Sequence, residues 1–207
     1  MILDFHTHNP QATDAIISVD PQDFAPAQGK SYAVGIHPWT TDKITPAILE
    51  ALHVAAQHPQ VVAIGETGLD ALRGAPLDEQ QSLFHEHISL SEQLGKPLII
   101  HMVRTSQHIL KAWREAKPTV PWVIHGMRGN PRVAQPLINA GFYLSFGPRF
   151  NPATVAATPL NRLLIETDDD ASTSIHQVAQ AIAKARGIPP QQLLDAITQN
   201  AANILNR

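Results

Sequence analysis

The 207-residue chain contains no cysteine. That single absence excludes disulfide frameworks, thiolate metal sites, iron–sulfur clusters and cysteine nucleophiles, so any metal must be held by imidazole and carboxylate. Long apolar runs are also missing: nothing approaches the roughly 18 residues of a membrane-spanning helix. The start, MILDFHTHNP, places Asp4, His6 and His8 where a signal peptide needs an unbroken apolar stretch. The expectation is a cytoplasmic protein without membrane contact. An excess of basic charge is lacking as well, since 15 Lys and Arg against 18 Asp and Glu leave a formal net charge of −3. Nucleic-acid binding through bulk positive charge is therefore not expected. Aromatics make up only 5% of the chain, and Trp39, Trp113 and Trp122 are too scattered to form a base-stacking platform. What the chain does have is 43% apolar residues, enough for the core of one domain over 1–207, and 11 His, which need an explanation.

Short apolar, β-branched runs alternate with segments of helical period, the signature of repeated βα units. The candidate strands are 2–6, 15–19, 32–37, 61–66, 98–101, 122–125, 142–146 and 163–167. Runs such as VVAIG and PLIIH are apolar on consecutive residues, as parallel strands covered on both faces are. Helix signals fall between them. Thr45 then Pro46 reads as a cap and first turn, Asp78 with Gln81 as a capping box, Gly95 as a stop, and Ser174 and Gly187 as the ends of another helix. The fold class expected is α/β, a small (β/α)8 barrel shortened or distorted between its first and third strands. Only residues 7–14 separate the first two strands, fewer than a helical crossover needs, so 15–19 is expected to pair as an antiparallel ribbon.

Two His-x-His pairs occur. His85 and His87 lie in a predicted helix, where residues two apart diverge by about 200°, so they are read as a solvated face. His6 and His8 end a strand, where residues two apart point the same way and can share a cation. Other strands end in the same chemistry: Glu66, His101 and His125, with Asp168 just past the last strand. A barrel delivers its strand C-termini to one mouth, and buried carboxylates or imidazoles without partners or ions cost several kcal/mol. Six ligands exceed what one catalytic ion uses, so the expectation is two divalent ions, Zn, Mn or Mg. His6, His8 and Asp168 suit one, His101 and His125 the other, and Glu66 can bridge. Two carboxylates against two dications leave a local charge of about +2, attractive to an anion although the chain is −3.

The motifs HTH, GIHPW, AIGETGLD, PLIIH, VIHGMRG, FYLSFG and LLIETD, in that order, resemble the TatD family of metal-dependent hydrolases, within the amidohydrolase-like barrels. The resemblance implies phosphodiester hydrolysis of the deoxyribonuclease type, and by motif its ligands fall on His6, His8, Glu66, His101, His125 and Asp168. Glu66 stands where relatives with a carboxylated Lys carry that residue, unlike phosphotriesterase-type or dihydroorotase-type sites. Three features depart from the family. The Arg beyond the fifth strand is displaced to Arg104, Asp169-Asp170-Ala171 replaces Ala-Pro-Tyr, and the region between strands one and three is short. The added acids disfavour a long polyanion. His37 is read as a substrate or ligand-orienting residue, and Arg73, Arg104, Arg128 and Arg149 as phosphate-binding candidates. Gly126, Gly129 and Gly147 are assigned to turns or close packing, and His53, His58, His108 and His176 to the surface.

The expected reaction is hydrolysis by water activated between two ions, with Asp168 taking the proton and Glu66 setting the ion spacing. The substrates expected are DNA 3′ ends or small phosphoesters. No protein partner is inferable. The alternatives are an amidohydrolase acting on amides or lactones, and a non-catalytic, metal-stabilised binding domain.

Overall fold

A computed structural model describes residues 2–205. Eight strands follow one another in chain order around a closed barrel: β1 (Asp4–Thr7), β2 (Ala15–Val19), β3 (Ser31–Val34), β4 (Val61–Asp70), β5 (Leu98–Val103), β6 (Trp122–Ile124), β7 (Tyr143–Phe146) and β8 (Leu163–Ile165). Among the described residues five α-helices lie between the strands, α1 (Pro46–Ala56), α2 (Leu77–Leu94), α3 (Ser106–Ala116), α4 (Pro131–Asn139) and α5 (Pro152–Ala157), and two follow β8, α6 (Ile175–Arg186) and α7 (Pro190–Leu205). Among the described residues no helix is long and apolar enough to cross a membrane.

The expected antiparallel ribbon is not what forms. β2 pairs parallel to β1, with Asp4 opposite Ala15 and Thr7 opposite Ile17 and a shift in register between them. The minimum-length rule assumes a helix in the crossover, and here there is none. β1 is only four residues long, about 13 Å, and an extended chain over residues 8–14 can run back that far. An Asn9 side-chain turn and a left-handed Asp14, φ 53, redirect the chain, and Asp14 O accepts from Leu3 and Asp4 N–H. No α-helix follows β2 either, only a 3-10 turn at Pro21–Asp23, so the barrel is shortened where expected yet still closed.

Contacts divide the chain into Met1–Ile17 with Val123–Arg207, and Ser18–Trp122. In the first unit the buried Phe5, Ile124, Leu144, Phe146 and Leu164 of the strands share their unit with Val178 and Ile182 of α6 and Leu193, Ile197 and Ile204 of α7. α6 has the reciprocal capping box read from its sequence: Ser174 accepts from Gln177 N–H, and Gln177 Oε1 accepts from Ser174 N–H. In the second unit Ala33, Val34, Ile64, Ile99 and Ile100 are fully buried, as are Leu52 of α1 and Phe84 of α2 within about 1%. Thr45 caps α1 as expected, whereas α2 begins at Leu77 after Pro76, without the Asp78–Gln81 box. The solvated face assigned to His85 and His87 is half wrong, because His87 is fully buried on the inward side of α2.

Candidate metal centre

In the first unit β1 and β8 build one cluster. Thr7 forms an isolated parallel bridge with Asp168. The Asp168 N–H donates to His6 O and its carbonyl accepts from His8 N–H, both at 3.0 Å. These bonds hold Asp168 at φ 56, a left-handed conformation unusual outside glycine. Its Oδ1 then lies 3.6 Å from Nε2 of the buried His6 and 3.8 Å from Nε2 of the half-exposed His8. Behind the cluster, Asp4 accepts from both the backbone and hydroxyl of Thr167. Burial pushes the Asp4 carboxyl up to about 6 despite those donors.

His125 and Glu166 extend the same cluster. The His6 and His125 rings stand 4.2 Å apart, and His125 Nδ1 is 3.6 Å from Glu166 Oε1. Glu166 is wholly buried; its Oε1 accepts from Gly126 N–H at 2.5 Å, while Oε2 has no hydrogen-bond partner among the described residues. Gly126 makes that bond from φ 59, a turn that favours glycine.

The second unit contributes Glu66 from β4 and His101 from β5. Glu66 Oε1 is 2.9 Å from His37 Nε2 and 2.9 Å from His101 Nδ1. On the far side of its ring, His101 Nε2 meets Asp70 Oδ2 at 3.1 Å. β4 runs four residues past Glu66 to reach Asp70, paired in register with β5. Burial pushes the Asp70 carboxyl up, but donors from Trp39, Leu72 N–H and His101 outweigh it and hold the carboxyl below its ordinary value.

These donor sets fit a divalent ion. The ligand atoms of His6, His8 and Asp168 lie within 4.8 Å of one another, and so do those of His125, Glu166 and Asp168 and those of His37, Glu66 and His101. Metal–ligand bonds of about 2.1 Å put two donors on one tetrahedral ion roughly 3.4 Å apart. The 3.6 and 3.8 Å separations in the first unit exceed a hydrogen bond but come near that span. The half-satisfied, fully buried Glu166 also suits a cationic neighbour.

Three residues change the sequence-based picture. His37 stands inside the Glu66–His101 cluster rather than beside it, with Nδ1 accepting from Trp39 N–H. Asp70 and Glu166 were not among the expected site residues; the GETGLD and LLIETD motifs contain both. Counting them gives two carboxylates per cluster, so a dication would leave each near neutral rather than contributing to a +2 site. The arginines differ in what they touch. Arg128 Nη2 lies 3.6 Å from Asp168 Oδ2, Arg149 pairs with exposed Asp169 at 3.5 Å, and Arg73 stacks over Trp39 at 4.5 Å. Arg104 is exposed at φ 55.

A sequence model described as TatD related DNase matches residues 23–206. The chain belongs to the TatD-related DNase family. Among TatD relatives, an uncharacterized metal-dependent hydrolase of Bacillus subtilis, YabD, is 29% identical over 94% of this chain and 83% of its own length. YcfH of Escherichia coli K12, likewise an uncharacterized metal-dependent hydrolase, is 30% identical over 84% and 73%. The 3′-5′ ssDNA/RNA exonuclease TatD of Klebsiella pneumoniae is 31% identical, over 65% of this chain and 55% of its own. The solved structure of the TatD homolog YJJV from E. coli K12 superposes with a TM-score of 0.88 at 23% identity, covering 100% of this chain and 98% of that one. A TatD-family hydrolase from Entamoeba histolytica gives 0.81 at 15% identity over 99% and 97%. At such identities the two structures establish the TatD barrel fold.

Proposed function

We propose that the protein is a metal-dependent phosphodiesterase that trims nucleic-acid 3′ ends, and that His6, His8 and Asp168 bind one divalent ion while Glu66 and His101 bind a second, with His37 donating its Nε2–H to Glu66. His125 serves beside Glu166. Family membership and the exonuclease relative support the substrate class.

The observation carrying the reading is the convergence of His6 and His8 on Asp168 Oδ1. That oxygen faces the imidazoles while Oδ2 faces Arg128. Asp168 can therefore act as a ligand through one oxygen and take a proton from attacking water on the other. Bound divalent ions would supply Lewis-acid polarisation of the phosphoryl oxygen and ease deprotonation of water. Arg128, whose Nη2 lies 3.6 Å from Asp168 Oδ2, would bind the non-bridging oxygens of the phosphate.

The test is a 3′ exonuclease assay on short single-stranded DNA, using chelated protein resupplied with Mn²⁺ or Mg²⁺. Turnover should vanish on chelation and return with the ion. Asp168→Ala should lower it about 100-fold or more in protein whose circular dichroism is unchanged. Activity indifferent to chelator, or to that substitution, overturns the mechanism. Cleavage of lactones or amides in preference to phosphodiesters overturns the substrate class alone.

A further inference from the structure

We propose that Asp70 is a positioning residue that fixes the tautomer of His101, keeping the ring proton on Nε2 so that Nδ1 is the nitrogen offered to an ion. The inference rests on the ion-binding reading of the Glu66–His101 cluster, though not on which bond is hydrolysed.

Asp70 is 3% exposed, and the two groups of fixed hydrogen-bonding sense at its carboxylate both give protons. Trp39 Nε1–H donates to Oδ2 at 2.6 Å and Leu72 N–H donates to Oδ1 at 2.8 Å. An indole N–H and a backbone N–H can only donate, and an ionised carboxylate can only accept. At the remaining contact, His101 Nε2 to Asp70 Oδ2 at 3.1 Å, the proton must therefore sit on the imidazole. The opposite nitrogen, Nδ1, faces Glu66 Oε1 at 2.9 Å, while His37, whose Nδ1 accepts from Trp39 N–H, keeps its own proton on the Nε2 that lies 3.3 Å away. With its Nε2 proton held by Asp70, His101 has Nδ1 as the nitrogen that an ion can share with Glu66, by displacing the proton between them.

The carboxylate is itself braced. Gln80, buried on α2, accepts from Asp70 N–H at 2.8 Å and donates to Asp70 O at 3.0 Å and Ala75 O at 2.7 Å. The sequence around Asp70 thus forms a rigid acceptor behind a ligand, a placement that orients the ring and raises its basicity.

The test uses Zn²⁺ alone, without substrate. Competition against a chromophoric chelator should show Asp70→Asn weakening one binding step about 10- to 100-fold, because a neutral amide raises the basicity of the His101 ring less than a carboxylate and its NH2 must face one of the three donors around it. Trp39→Phe, which removes one donor but leaves Asp70 facing His101, should stay within about threefold of wild type by the same reasoning. In Zn²⁺-loaded wild-type protein, ¹⁵N-resolved spectra should show His101 protonated at Nε2 and coordinated through Nδ1, with the assignment made by the signal lost in His101→Gln. That spectrum needs no Asp70 variant to fold. Coordination through Nε2, or Asp70→Asn affinity within about twofold of wild type, overturns the proposal. Wild-type protein that binds no Zn²⁺ removes the proposed metal site itself, a distinct result.

Discussion

His87 shows how much one side chain can tie stability to pH. Its Nε2 accepts from Ile36 N–H and its Nδ1 donates to Leu83 O, each at 2.9 Å, so the neutral ring satisfies both partners and a second proton would face a donor. Burial holds its pKa down at about 4 against an ordinary 6.5, despite the opposing pull of the Leu83 carbonyl. Below pH 6.5 the unfolded chain takes up a proton that the folded chain refuses. This contribution is fully present above 6.5 and is lost as pH falls toward 4, on the order of 3 kcal/mol in total. Urea unfolding of wild type and His87→Gln at pH 7.5 and pH 5 should show the wild type losing distinctly more stability on acidification. Equal losses would mean that the ring is not held neutral. The residue was misread because two His at i and i+2 on a helix do diverge, and divergence sends one of them inward rather than both outward. Asp70 and Glu166 escaped for a related reason. Strand ends point to the polar residue at which an apolar run stops, whereas Asp70 sits four residues beyond Glu66 on a strand that continues, and Glu166 shares its strand end with Asp168 two residues on. The six expected positions stand out because each ends or follows an apolar run; Asp70 does not, since GETGLD carries no apolar run up to it, and at the end of β8 two acids, Glu166 and Asp168, follow one run.

At the scale of the elements, β4 and β5 are bound by glycine. Gly68 lies opposite His101 with φ 137, and a Cβ there would come 2.1 Å from His101 O. Gly35 leaves a similar gap, where a Cβ would stand 2.6 Å from the backbone of Gly65. Gly68→Ala must therefore separate the strands or distort the backbone that presents His101. It should cost about 3 kcal/mol or more, read as a fall in the urea midpoint, with weaker Zn²⁺ binding alongside. An unchanged midpoint would show that the close approach of β4 to β5 is dispensable. The capping box of α6 makes a milder case: Ser174→Ala should cost about 1 kcal/mol, measured the same way, and no loss would mean that Gln177 alone suffices. Helix ends of this kind are local chemistry, which is why Thr45, Ser174 and Gly187 were readable from the chain. The pairing of β2 was not, because a parallel return without a helix depends on the shortness of β1 and on the left-handed Asp14, and neither follows from apolar periodicity.

For the whole molecule, the decisive quantity is how ion binding couples to folding. A net charge of −3 supplies no general attraction for a polyanion, and two carboxylates within each cluster bring a bound dication close to local neutrality. On the proposed function, affinity for phosphate would rest on ions and individual arginines such as Arg128, not on a broad field. The same carboxylates make the ion-free fold carry clustered, partly buried acids, among them Glu166 with an oxygen left unsatisfied. An ion that binds only the folded chain stabilises it by RT ln(1 + [L]/Kd), about 2.7 kcal/mol for one site at a hundredfold excess over Kd. For a chain of this length each kcal/mol moves the melting temperature by roughly 2–4 °C. Chelation should accordingly lower Tm by on the order of 5–10 °C per site lost, and Zn²⁺ or Mn²⁺ should restore it. His6→Asn should respond to only part of the added ion, because it disables the first-unit cluster and leaves Glu66 and His101 intact. Calorimetry of the chelated, reloaded and variant proteins would read all three. A transition that neither chelator nor ion displaces would mean that the converging imidazoles and carboxylates are not an ion site, and hydrolysis would have to be sought elsewhere on the barrel.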